Sequence, residues 1–153
     1  MGYTLKIGNA KPVADEHSFD WEVEPVTRDD APAFGEPTDH TNSRWPSYSV
    51  WADFCRTTGL YDMFLDKEED YSLMRDHPGI APINAGHLAR VQAAIVQRKL
   101  ATSDKPPGFW DYDQETNKEI DNGKDPEMVR LLWLEYWMKW ALENCEHPAI
   151  QNT

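Results

Sequence analysis

Basic residues are scarce in this chain: 15 Lys and Arg stand against 27 Asp and Glu, a formal net charge of −12. No Lys/Arg cluster supplies the basic stripe that a phosphate backbone requires, which excludes direct nucleic-acid binding. The same scarcity leaves no polybasic segment for a membrane surface. Long hydrophobic runs are missing as well, and none reaches the roughly 18 apolar residues that a bilayer span needs. Only two cysteines occur, Cys55 and Cys145, and they are expected to be free, buried thiols in a reducing compartment. The opening residues Met1-Gly2-Tyr3-Thr4-Leu5-Lys6 lack the apolar core of a secretory signal and the Ser or Thr that N-myristoylation wants at the sixth position. A cytoplasmic location is the expectation.

Metal and cofactor signatures are missing too. His17, His40, His77, His87 and His147 never pair at i, i+4, and neither Cys-x-x-Cys nor His-Glu-x-x-His occurs. Cys145-Glu146-His147 alone is a weak metal signal, and structural or loop roles are expected for both side chains. The run Asp111-Tyr112-Asp113-Gln114-Glu115 starts like a calcium loop, but Thr116 stands at the sixth position and Asn122 at the twelfth, where Gly and Glu belong. There is no Gly-x-Gly-x-x-Gly, no phosphate-binding Walker loop and no Gly-x-Ser-x-Gly nucleophile turn. No cofactor, no metal and no catalytic residue is therefore assigned.

Aromatic residues are what the chain has in excess: seven Trp, six Tyr and five Phe in 153 residues. They carry much of the burial potential, and the length suits a single domain over 1–153 that folds without disulfide or metal. The strongest element lies between Asp125 and Cys145. Asp125 is an N-cap residue, Pro126 suits the first turn, and Glu127 sits at the positive end of the dipole. From Met128 to Leu142 only Arg130, Glu135 and Lys139 interrupt the apolar residues, so the helix is apolar nearly all round and should be central. Glu135 and Lys139 are spaced for an i, i+4 ion pair. Trp133, Trp137 and Trp140 share one stripe, read as core rather than as a contact surface.

Upstream, residues 3–8 and 18–26 alternate with a two-residue period, and Gly8 to Pro12 supplies turn residues between them, which predicts an N-terminal hairpin. Residues 27–46 read as an irregular loop rich in proline. Ser47 or Ser49 should cap a helix burying Val50, Trp51, Phe54 and Cys55, stopped by Gly59. A short helical turn follows at Tyr61, Phe64 and Leu65, and the acidic run 66–70 could open another. Two prolines and a glycine keep 77–83 out of a helix. Asn84 should cap a second long helix through Leu88, Val91 and Ile95 to Lys99, and 101–125 reads as a polar connection. These parts predict an α+β fold, mainly α: a small N-terminal β-hairpin packed on a helical core with a central C-terminal helix.

Two irregular segments offer site candidates. Asp39-His40-Thr41-Asn42-Ser43-Arg44-Trp45 gathers polar side chains just before a helix N-terminus, where Arg44, His40, Asn42 and Trp45 could meet an anion or small ligand. In Arg75-Asp76-His77-Pro78-Gly79, His77 is the second candidate, with His87 beside it in the sequence order. Structural roles for these loop residues weigh against both readings. Phe109 and Trp110, in a Pro-Pro-Gly-Phe-Trp run, are candidate partner contacts.

Trp45-Pro46-Ser47-Tyr48-Ser49-Val50-Trp51, His77-Pro78-Gly79 and Leu-Trp-Leu-Glu-Tyr-Trp together resemble small uncharacterised proteins encoded by bacteriophages. The resemblance is spread over most of the chain and implies no activity and no functional residue. If it holds, the setting is the host cytoplasm. No motif assigns a function. The reading that charge and missing motifs favour is a non-enzymatic, acidic protein-binding accessory or inhibitor module whose partner has a basic surface. A small-molecule or anion binder, or an enzyme with a loop-built site, is the second reading, and a structural or virion component the third.

Overall fold

The tryptophan-rich helix forms where its signals place it. The computed structural model describes residues 1–12, 21–36, 39–101, 111–113, 118–120 and 125–153, with 111–113 and 118–120 described in backbone only. Helix α4 runs Pro126–Asn144, and the Asp125 carboxylate accepts from the Glu127 N–H at 3.2 Å. Val129, Leu131, Trp133, Leu134, Trp137, Met138 and Ala141 are buried along it. The Glu135–Lys139 pair does not form, and Lys139 stays exposed among the described residues.

The other helices follow their caps. In α1 (Tyr48–Thr58) the Ser47 hydroxyl accepts from Val50 N–H at 3.3 Å, and Gly59 ends the helix in the left-handed region at φ 73°. Its buried face is Trp51, Phe54 and Cys55, while Val50, expected there, is exposed. The short α2 (Tyr61–Phe64) buries Met63 and Phe64. The acidic run after it is turn rather than helix, with Asp66 accepting from the Glu68 N–H at 3.0 Å. In α3 (Ala85–Ala101) Asn84 and His87 bond each other reciprocally, at 3.1 and 3.0 Å. This is a capping box with His in the place usually taken by Glu or Gln.

The sheet is where the expected architecture fails. Strand β1 (Leu5–Pro12) pairs along one edge with β2 (Trp21–Val23) and β3 (Ser43–Arg44), and along the other with β7 (Pro148–Asn152). Strand β7 in turn pairs with β4 (Gly79–Pro82), and all four pairings are antiparallel. A curled five-stranded sheet replaces the small hairpin on a mainly helical core. A second antiparallel pair, β5 (Asp111–Asp113) with β6 (Lys118–Ile120), lies inside the expected polar connection.

The expected Gly8–Pro12 turn is strand, for a physical reason. A Cβ on Gly8 would sit 3.1 Å from Asn42 Nδ2 and 3.4 Å from Val23 Cγ1. The glycine admits a close neighbour; it does not bend the chain.

Alternation then sorts the strands' faces. Leu5, Ile7 and Ile150 join Trp51, Phe54, Phe64 and Trp137 in the main core, while Ala10, Val23 and Ala149 form a small cluster with Ile80 on the opposite face. Helix α4 packs on α3, β1 and β7. Among the described residues no helix is long and apolar enough to cross a membrane.

Candidate functional site

The loop before α1 spends its polar groups on the fold. Asn42 is 1% exposed. Its Oδ1 accepts from Val26 N–H at 2.8 Å and its Nδ2 donates to the carbonyls of Ile7 and Glu24, at 2.9 and 2.8 Å. All of that stitches β1 to the segment after β2. Arg44 is buried, its guanidinium donating to Glu36 at 2.8 Å and lying over the Trp133 ring. Burial pulls its pKa below the usual arginine range, and Glu36 works to hold the charge.

His40 sits at φ 67°, with Nδ1 3.2 Å from the Arg28 carbonyl. Asp39 accepts three backbone N–H bonds, from Phe34, Gly35 and Glu36. Partial burial works against its charge, yet those donors hold the carboxyl below the usual range. Trp45 alone of this group projects outward, 58% exposed.

The second set scatters. His87 serves the α3 cap, and burial together with nearby Arg90 lowers its pKa. No hydrogen bond, ion pair or ring contact joins any two of Arg44, His77 and His87. Phe109 and Trp110 lie outside the described residues. Among the described residues no group of three or more His, Cys, Asp or Glu is placed to hold a metal ion.

His77 is different, because its ring is held at both nitrogens in an exposed position. The buried Asn152 side chain, on β7, donates through Nδ2 to the carbonyls of Asp76 at 3.0 Å and Gly79 at 3.4 Å. That orients its Oδ1 toward His77 Nδ1, 2.6 Å away. Since an amide oxygen can only accept, the proton of neutral His77 is assigned to Nδ1 and the lone pair to Nε2. Nε2 lies 3.1 Å from the Tyr48 hydroxyl, which is left to donate.

Tyr3 packs edge-on against both rings, with centroids 4.7 Å from Tyr48 and 4.9 Å from His77. The loop that carries His77 needs its glycine: a Cβ on Gly79 would stand 2.6 Å from the Asp76 carbonyl oxygen. His77-Pro78 is a cis peptide. The N-terminal segment completes the wall, Tyr3 N–H donating to Pro46 O at 2.9 Å. His77 was legible as a candidate. Tyr48, Tyr3 and Asn152 were not, since nothing local marks them: Asn152 and Tyr3 reach His77 through the pairing of β1, β7 and β4, and Tyr48 through β3 and Ser47, which pair with the N-terminal segment.

A second surface lies on the sheet face away from the helices. Trp21, Ile80, Pro82, His147 and Pro148 line a groove of about 310 Å³, with Glu146 among its walls. The His147 ring stands edge-on to Trp21 at 5.5 Å, and Trp21 is 43% exposed. Strand β4 borders the groove as a sheet edge. Ile83 N–H donates to Pro148 O, so by alternation Ile80 and Pro82 face away from β7, and Pro82 has no N–H to offer. The edge is thereby blunted against strand addition.

Compared with known protein families, characterised proteins and solved structures, the chain matches none.

Proposed function

We propose that this protein is an acidic binding module whose partner is a protein with a basic surface, and that it turns over no substrate. One observation carries the reading: all seven arginines, 28, 44, 56, 75, 90, 98 and 130, are ion-paired with carboxylates of the same chain. Bidentate arginines are the usual means of gripping phosphates and carboxylates, and here they are already engaged. With 27 acids to 15 bases, the charge left for a partner is negative. Such a surface speeds encounter with a cationic protein and rejects nucleic acid.

The groove beside Trp21 offers the apolar anchor that charge alone lacks, since Trp is enriched among residues that dominate interfaces. The blunted β4 edge favours side-chain docking over strand addition. An accessory or inhibitor acting on a basic host protein in the cytoplasm, as the resemblance to bacteriophage proteins suggests, would use a surface of this kind.

The test is affinity capture from a host extract, followed by titration of the purified pair. Binding should weaken at least tenfold between about 50 and 500 mM salt as screening sets in, and Trp21→Ala should cost about 2 kcal/mol or more. A complex indifferent to both salt and Trp21 would remove the reading.

A further inference from the structure

We propose that Tyr48 is a nucleophilic tyrosine, with His77 as the base that takes its proton, and that the pair accepts an acyl group from an uncharged activated ester or thioester. Three features converge on it. The Tyr48 hydroxyl lies 3.1 Å from the one imidazole nitrogen that can accept, which is the contact a general base must make. Buried Asn152 fixes the ring and its tautomer from behind, so the lone pair on Nε2 is aimed before any substrate arrives. A groove of mixed polarity opens on the far side of Tyr3, about 350 Å³ and lined by Met1, Tyr3, Thr4, Trp45, Pro46 and Ser47, and Tyr3 itself packs on both reacting rings. An acidic chain repels anionic donors, so a neutral acyl donor is the class that fits.

In the step, the Tyr48 oxygen bonds to the carbonyl carbon as the bond to the leaving alkoxide or thiolate breaks. The phenolic proton passes to His77 Nε2 and from there to the leaving group. The product is an O-acyl tyrosine and the free alcohol or thiol.

Tyr61 is a built-in control, because Tyr48 and Tyr61 are equally exposed at 37%. The Tyr61 ring faces Arg56 rather than an imidazole. The probe is p-nitrophenyl acetate, with p-nitrophenolate release followed by absorbance and the acetylated residue located by peptide mass spectrometry. Tyr48 should be acetylated about a hundredfold faster than Tyr61, the low end of what a positioned base contributes. His77→Gln should bring Tyr48 down to the Tyr61 rate while leaving Tyr61 itself unchanged, which also reports that the fold is intact. Should that variant unfold, His77→Ala with added imidazole replaces it, and the Tyr48 rate should recover with imidazole concentration. Equal rates at the two tyrosines, a His77→Gln rate equal to wild type at Tyr48, or an acetyl group on His77 would each overturn the proposal.

Discussion

Arg98 holds both carboxylate oxygens of Asp125, at 2.6 and 3.0 Å, so the last turns of α3 are tied to the N-cap of α4. Both side chains are largely shielded, with 18% and 16% of their surface exposed, so solvent screens the pair less than it would at the surface. One carboxylate serves as helix cap and ion-pair partner together. Asp125→Ala should lower the unfolding free energy by about 2–3 kcal/mol, combining a cap worth about 1 with a partly buried ion pair. Asp125→Ser, which keeps a capping oxygen, should recover about 1 kcal/mol of that in urea titrations.

Asn42 offers a sharper contrast between two substitutions. Its amide bonds one donor and two carbonyls from the interior. Asn42→Ala should cost about 3 kcal/mol, because three backbone groups lose partners where water cannot replace them. Asn42→Asp keeps the size but turns an acceptor toward the Ile7 and Glu24 carbonyls, so it should cost at least as much at neutral pH. Chemical denaturation of the two variants checks the order.

Two glycines should answer alanine differently. Gly59→Ala meets nothing within 4 Å and pays only for φ 73°, about 1–2 kcal/mol. Gly79→Ala drives a Cβ into the Asp76 carbonyl oxygen, and a backbone atom must move. It should cost about 2 kcal/mol or more. It should also move His77, so the Tyr48 acetylation rate falls in this variant and not in Gly59→Ala.

Acid stability follows from carboxyls held below their ordinary range. In Asp39, burial opposes the charge but three backbone donors prevail, and in Asp62 the Arg90 guanidinium does the same work. A depressed folded pKa means the unfolded chain binds more protons between the two values, so stability is present above the ordinary carboxyl range of about 4 and is lost as pH falls through the folded values. Unfolding free energy should therefore drop below about pH 4, and less steeply in Asp39→Asn, measured as urea midpoints across the pH series.

Helices were legible because their signals are local. Ser47 caps α1, Asn84 caps α3 and Asp125 caps α4, each within three residues of the N–H it serves. The sheet was not, because its signals are distant. Val23 is buried because it lies over Gly8 and packs with Ala10 and Ala149, and the run Pro148–Asn152 holds a single large apolar residue, Ile150, that means strand only beside Ile7. The expectation of a mainly helical protein came from that asymmetry. The candidate site divides the same way. His77 stood out by residue type, but its worth depends on Asn152 and Tyr48, which reach it across 75 and 29 positions of sequence.

The pairing of β1 with β7 has a consequence for how the molecule is made. Leu5 lies opposite Asn152 and Asn9 opposite Pro148, so during synthesis β1 leaves the ribosome long before its neighbour exists. Until then the strand carries an open edge and Leu5 and Ile7 lack their cover, a state in which nascent chains invite chaperones or cling to one another. Contacts so far apart along the chain also slow the search for them. The helices can form early, but the sheet that sets β1 beside β7 closes last, and the Asn152 oxygen that accepts from His77 and orients its ring arrives with it.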